Sequence, residues 1–131
     1  MKTLSLPILA FASALASCTT PASDRTTEQS DLPTAFVAGW KGEKVCEPLF
    51  ENEGMRAARC TFPPGIGHER HFHRPHFGYI VSGATMRMTD ASGTHDRVLQ
   101  TGATWWSDGI AWHEGVNISD TTGIYIIVEP K

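Results

Sequence analysis

Four histidines fall within nine residues of this chain, and a fifth follows about forty positions later. They are His68, His71, His73, His76 and His113. Imidazole is the commonest protein ligand for transition metals, because its neutral form offers a lone pair without first losing a proton. On a β-strand, His71 and His73 point to the same face, since side chains alternate with a period of two. The spacing therefore indicates a metal centre.

The segments that position these histidines have the pattern of short strands separated by turn signals, and none has a convincing helical period. Turn-forming residues cluster at 51–54, 63–65 and 90–93. Short strands at a spacing of roughly 8 to 12 residues predict an all-β sandwich or barrel, and the lack of an internal repeat predicts one barrel. The predicted strands are 44–50, 55–62, 69–73, 77–81, 85–89, 97–100, 103–106, 111–116 and 124–128.

The first seventeen residues have the features of an export signal. Lys2 supplies a positive charge, and the apolar stretch at 4–15 is too short to span a membrane, which takes about 20 apolar residues. Residues 15–18 resemble the bacterial lipoprotein lipobox, which implies cleavage before Cys18 and attachment of lipid to its sulfur. The alternative is an ordinary secretory signal with a chance cysteine. Thr19 after the cysteine, in place of aspartate, favours the periplasmic face of the outer membrane.

The remaining chain divides into a tether and a folded domain. Residues 18–33 are polar and almost free of large apolar side chains, so they are predicted to form a flexible linker. Residues 34–131 form the predicted barrel domain. The formal net charge is −3, and it becomes −4 without the first seventeen residues, which include one lysine. With no basic patch, we expect no nucleic-acid partner, and we expect membrane attachment through the lipid alone.

Two cysteines lie inside the predicted domain, on either side of the turn at 51–54. A three-residue hairpin loop at 52–54 would place Cys46 opposite Cys60, and a loop one residue longer or shorter would lose that register. An exported protein meets an oxidising compartment, where such a pair persists as a disulfide. The alternative is two buried free thiols, and the sequence leaves both open.

Residues 65–73, which run from a glycine to the His-x-His pair, resemble the start of the first motif of the cupin superfamily. Residues 79–83 resemble the end of that motif. Gly102, His113 and Asn117 resemble the second motif, with His113 eleven positions after Gly102 and Asn117 four positions after His113. The resemblance covers residues 55 to 128, which is nearly the whole predicted domain. Two motifs at the right mutual distance are far more specific than either alone.

The cupin resemblance implies a small antiparallel β-barrel of jelly-roll type that holds one divalent metal ion. Carried over by position, His71, His73 and His113 are ligands, but the usual glutamate is missing and His76 occupies its place. Three alternatives follow: His76 is the fourth ligand, or it turns to the pocket beside a three-histidine site, or Glu69 restores a carboxylate. We favour His76 over Glu69 as the fourth ligand.

Strand parity bears on the third alternative. It places Glu69 on the same face as His71 and His73, and it turns His68 outward as a surface histidine. His95, beside the turn at 90–93, is predicted to be solvated.

Several further residues are candidates for the pocket. Tyr79 and Glu114 could transfer protons near a metal, although Glu114 alternates outward from His113. Met86 and Met88 could line the cavity, although alternating methionines also suit a core. Asn117 shares parity with His113 and could make a supporting hydrogen bond or cap a turn.

The resemblance also implies functions, which the sequence does not choose between. An imidazole-rich site suits Zn, Cu, Fe and Ni, and Mn is less attractive without a carboxylate. The first hypothesis is a metalloenzyme of oxygenase or isomerase/lyase type that acts on a small organic molecule. The second is a non-catalytic cell-envelope module that binds a small ligand or a metal. The resemblance further implies a homodimer.

Overall fold

The computed structural model describes residues 31–131 of the chain. The predicted signal peptide, the lipidation site at Cys18 and most of the predicted linker lie outside the described residues. No helix in residues 31–131 is long and apolar enough to span a membrane. The described residues form eleven strands, in agreement with the all-β prediction.

The strands follow one another closely along the chain. They are β1 (Gly39–Trp40), β2 (Glu43–Lys44), β3 (Cys46–Glu51), β4 (Met55–Phe62), β5 (Gly67–His73), β6 (His76–Ser82), β7 (Ala84–Asp90), β8 (Gly93–Leu99), β9 (Thr104–Ser107), β10 (Ile110–Asn117) and β11 (Gly123–Pro130). The short β1–β2 hairpin was not among the predicted strands, because two-residue strands carry no alternation to detect.

Two antiparallel sheets make up the barrel. One has the order β5-β10-β7-β8 and the other has the order β3-β4-β11-β6-β9. Strand β10 therefore lies beside β5, although 36 residues separate their nearest ends. This non-local pairing brings the His-x-His pair of β5 next to His113 of β10. The predicted single jelly-roll barrel is confirmed.

The segment before β1 closes the edge of the first sheet. Thr34 forms a parallel bridge with Phe72 of β5, and the Phe72 N–H donates to the carbonyl of Pro33 at 3.1 Å. The Ala35 N–H donates to the Phe72 carbonyl at the same distance. The edge strand β5, which carries three histidines, is thus paired on both sides, which protects it from joining another chain.

The apolar core packs directly against the histidine cluster. Phe62 of β4 is fully buried, and its ring stacks on that of Tyr125 at a centroid distance of 5.2 Å. The other edge of Phe62 approaches His68, at 5.7 Å between centroids. Burial of one such aromatic side chain stabilises the fold by about 1.5–3 kcal/mol. The same core therefore holds the barrel together and fixes one wall of the site.

Cys46 and Cys60 lie directly opposite each other in the β3–β4 hairpin and are joined by a disulfide. The expected three-residue loop is confirmed, since 52–54 are the residues between β3 and β4. Beside this loop, however, Glu51 pairs with Arg56, which shifts the register by one residue. An extra residue in β3, Leu49, restores the register on the far side of the hairpin. The register shift beside the loop and the β-bulge at Leu49 thus cancel, which is why the cysteines still face each other.

Strand β6 alternates regularly between the inside and the outside of the barrel. His76, Gly78 and Ile80 are buried, whereas Tyr79 is 40% exposed on the outer face. The prediction that Tyr79 lines the pocket is therefore wrong. Its parity is opposite to that of His76, so it cannot reach the same space.

Gly78 leaves room for the indole ring of Trp105, its partner on β9. A Cβ atom at position 78 would lie 2.0 Å from the Cζ2 atom of Trp105, a distance that real contacts do not reach. The ring therefore lies flat over the glycine, inside the barrel. No other residue type at position 78 allows this placement.

We predict that Gly78→Ala displaces Trp105 and destabilises the protein by about 1–3 kcal/mol, the usual cost of overpacking a core. The urea midpoint of unfolding should fall, and the tryptophan fluorescence of the native state should shift. Gly54→Ala is the matched control, because a Cβ there meets nothing nearer than an Asn52 side-chain oxygen at 3.8 Å. An unchanged midpoint for the Gly78 variant would contradict this account.

Candidate metal centre

The pairing of β5 with β10 is irregular on both sides of one residue pair. His113 lies directly opposite His71, and Ile110 lies opposite His73. Three steps along β10 thus match two steps along β5, so β10 carries an extra residue at 111–112. This bulge turns both Ile110 and His113 toward the interior, where regular alternation would have separated them.

A second bulge lies on the other side of the same pair, this time in β5. Gly115 pairs with His68 while His113 pairs with His71, so the extra residue is at 69–70. Because of this bulge, His68 and His71 face the same way, and His68 is only 2% exposed. The prediction that His68 is a surface histidine is wrong, because it assumed unbroken alternation. Its Nε2–H donates to the Ala38 carbonyl at 3.2 Å.

The same bulge turns Glu69 away from the site. Its carboxylate is exposed and accepts a hydrogen bond from the Lys41 backbone N–H at 2.7 Å. The alternative in which Glu69 supplies a carboxylate ligand is therefore not supported. Arg70 also points outward, and its guanidinium lies 3.6 Å from the centre of the Trp112 ring, which comes from the bulge of β10.

His71, His73 and His113 bring their Nε2 atoms together. The three Nε2–Nε2 distances are 2.9, 2.9 and 3.0 Å. A triangle of this size allows one ion to lie about 2.1 Å from all three nitrogens, the usual distance between zinc and imidazole. These residues fit a metal ion, and we call them the histidine triad.

Hydrogen bonding fixes the ring of His71 for this role. Its Nδ1–H donates to the Glu69 carbonyl at 2.6 Å, so in the neutral ring the lone pair is on Nε2. Burial lowers the pKa of His71 to about 4, although the hydrogen bond to Glu69 opposes this change. The ring is therefore neutral at pH 7, and its Nε2 is available to a cation.

The other rings of the triad are also held neutral. Burial, followed by the nearby His71 ring, lowers the pKa of His113 to about 3. The same two causes place the pKa of His73 well below its usual range. Three neutral rings whose nitrogens lie within 3.0 Å repel one another through their lone pairs, unless a proton or a metal ion lies between them.

His76 lies beside the triad with both ring nitrogens already in use. Its Nδ1–H donates to the Arg74 carbonyl at 2.8 Å, and its Nε2 accepts from the Trp105 indole N–H at 3.3 Å. The ring stacks on that of His73, at 4.6 Å between centroids. Of the three alternatives for position 76, the geometry favours a three-histidine site with His76 turned to the pocket.

The triad forms one wall of a cavity of about 70 Å³, large enough for several water molecules. Met86 and Met88 line it, as predicted. Asn117 does not, since its amide donates to the carbonyls of Phe62 and Thr121 and so ties β10 to the following loop. The other lining residues are Phe62, His68, His76, Arg97, Leu99, Trp105, Ile110, Gly115 and Tyr125.

Sequence reasoning missed two functional features of this cavity. Trp105 positions His76, and a glycine opposite a tryptophan on a neighbouring strand is the signal that could have found it. Arg97 places a positively charged residue on the cavity wall. Alternation along β8 predicts that it faces inward with Leu99, but inward-facing arginines are rare enough to be assigned to the surface by default.

Comparison with known proteins supports the fold. No family model and no curated protein matches the chain. Among solved structures, a cupin domain from Bordetella pertussis Tohama I matches with a TM-score of 0.64 and 20% identity, over 72% of this chain and 95% of that one. An RmlC-like cupin with a double-stranded β-helix fold from Methanocaldococcus jannaschii matches with a TM-score of 0.55 and 18% identity, over 66% and 78% of the two chains. The described chain therefore has the cupin fold.

We predict that the metal-free protein loses stability as the pH falls from about 6.5 toward 4. Unfolded histidines take up protons near pH 6.5, whereas the buried rings of the triad stay neutral, so protons favour the unfolded state. Each such ring lowers the free energy of unfolding by about 1.4 kcal/mol for every pH unit. Urea titrations across this range measure the slope.

The variant His71→Gln should flatten that slope, because one of the neutral buried rings is gone. His95→Gln is the matched control, since His95 is exposed on β8, outside the cavity lining, and the slope should stay as in the wild type. Equal slopes for the two variants would mean that the triad is not the source of the pH dependence.

Proposed function

We propose that this protein binds one divalent transition metal ion through His71, His73 and His113 and acts as a metalloenzyme on a small organic molecule. The observation that carries the proposal is the convergence of three Nε2 atoms within 3.0 Å on the wall of a cavity. The reaction is proposed to be of oxygenase or isomerase/lyase type, by analogy with the cupin fold alone.

A catalytic site needs coordination positions that a substrate can occupy. A saturated four-histidine site would leave none, and it would favour the non-catalytic binding module instead. Here His76 is held by Arg74 and Trp105, so the triad is the whole protein ligand set among the described residues. A bound divalent ion would supply Lewis acidity toward a molecule that shares the cavity.

The protein's own groups would orient the ligands and limit water. The Glu69 carbonyl fixes the ring of His71, and the stacked His76 supports that of His73. The walls beyond the histidines are largely apolar, with Phe62, Leu99 and Ile110 among them. Low polarity around the triad strengthens electrostatic interactions between an ion and its ligands.

Metal analysis of the purified protein tests this proposal. We expect about one metal ion per chain in the wild type, and near zero in His71→Ala and His113→Ala. Loss of a ligand should weaken binding by more than the roughly 10- to 100-fold that loss of a supporting residue costs. His76→Gln should retain the metal, and His95→Gln serves as the control for removing a histidine elsewhere.

Spectroscopy of the cobalt-loaded protein then separates the two functions. Added azide should change the ligand-field spectrum if the site has exchangeable positions, and His76→Gln should show the same response as the wild type. No effect of azide, together with loss of metal from the His76 variant, would favour the saturated site and the non-catalytic module. Absence of metal from all forms would overturn the proposal entirely.

We also propose that the protein is exported and anchored by lipid at Cys18, on the periplasmic face of the outer membrane. The lipobox-like residues 15–18 support this proposal. The disulfide between Cys46 and Cys60 is independent support for export, because disulfides persist in oxidising compartments and are rare in the cytosol.

We predict that Cys18→Ser releases the protein from the membrane fraction and removes the lipid mass from its N-terminus. Fractionation of cell envelopes and mass spectrometry of the mature chain measure the two effects. The double variant Cys46→Ala/Cys60→Ala is the control, since it removes two cysteines and should stay in the membrane fraction. Membrane retention of the Cys18 variant without lipid would refute the anchor.

A further inference from the structure

Strand β8 presents two different faces on the edge of its sheet. Leu99 and Arg97 line the cavity, whereas Val98 between them is 67% exposed on the outside. Arg97 lies opposite Met86 of β7, which also lines the cavity. Arg97 is therefore part of the cavity wall, and it is also exposed, on the edge strand of its sheet.

The two arginines of the β7–β8 hairpin differ in their partners. Arg87 makes a bidentate ion pair with Asp96 on the outer face, with nitrogen–oxygen distances of 2.8 and 3.1 Å. Arg97 makes no ion pair and no side-chain hydrogen bond within residues 31–131. The carboxylate of β7, Asp90, is engaged by the N–H and hydroxyl of Ser92. Among residues 31–131, one arginine is thus neutralised and the other has no partner.

The charge of the cavity is unusual as well. Among the described residues, no aspartate or glutamate lines it. The triad is neutral, so a divalent metal ion and Arg97 together would place three positive charges against a lining that holds no carboxylate. Asp90 lies opposite His113 on the neighbouring strand β7, outside that lining. An anionic ligand would supply the counter-charge. The planar guanidinium of an arginine is suited to such a ligand, because it pairs with a carboxylate through two parallel hydrogen bonds.

We propose that the ligand of this site is a small carboxylate, whose anionic group pairs with Arg97 and whose body lies against the apolar walls. This inference rests on the proposed function, since it names the ligand class of the same cavity. A carboxylate with an apolar body is favoured over inorganic phosphate because most of the cavity walls are apolar. Arg97 is assigned as the residue that distinguishes anionic from neutral ligands.

The test compares butyrate with its neutral isostere, butyramide, on the cobalt-loaded protein. Calorimetric titration gives the affinities, and metal analysis of the same samples gives the cobalt content. We expect the wild type to bind butyrate more tightly than butyramide. Arg97→Gln should weaken butyrate binding by about tenfold or more, as loss of a charged hydrogen bond does, and should leave butyramide binding and cobalt content unchanged.

Arg87→Gln is the matched control, because it removes the same charge from the other face of the hairpin and should leave butyrate affinity as in the wild type. Three outcomes would each overturn the inference: an equal loss of butyrate affinity in both variants, equal binding of butyrate and butyramide, or preference for inorganic phosphate over butyrate. Normal cobalt content in the same samples would show that the metal site is intact. Failure of the wild type to take up cobalt would overturn the proposed function and the inference with it.

Discussion

The pair formed by His71 and His113 depends on two β-bulges, one on each strand, that lie on opposite sides of it. Each bulge inserts one residue, so the two strands leave the irregular region with their overall register restored. The bulges bring His68 and Ile110 inward, and they turn Arg70 and Trp112 outward, where the two side chains stack. Without the two bulges, regular alternation would turn a different set of β5 and β10 side chains into the cavity, with fewer histidines among them.

The second constraint is the absence of negative charge from the site. Burial and mutual repulsion keep the triad neutral at pH 7, which removes competition from protons. The glutamate that the cupin resemblance leads one to expect is replaced by His76, whose nitrogens are bonded to Arg74 and Trp105. The cavity lining therefore offers lone pairs for a metal ion but no carboxylate to balance its charge.

Much of this arrangement could be predicted from the sequence, because most of it depends on local pattern. The alternation of short apolar segments with turn residues along the chain predicted the barrel. The His-x-His spacing identified two of the three residues of the triad. The bulges could not be predicted, since no glycine or proline marks 69–70 or 111–112. The wrong predictions that His68 faces outward and that Glu69 faces the site both follow from the missing bulge at 69–70. Tyr79 was misplaced for a different reason, because regular alternation from His76 already turns it outward.

The histidine at the position where the cupin resemblance implies glutamate links the proposed metal site to the proposed ligand. A carboxylate at position 76 would have contributed a negative charge and could have accepted the hydrogen bond from the Trp105 N–H. It would not have stacked on the ring of His73. The imidazole keeps the hydrogen bond and the packing but leaves the charge to another group. Arg97 adds a positive charge to the lining of the same cavity. A substrate that carries its own carboxylate is the simplest way for such a site to reach electrostatic balance.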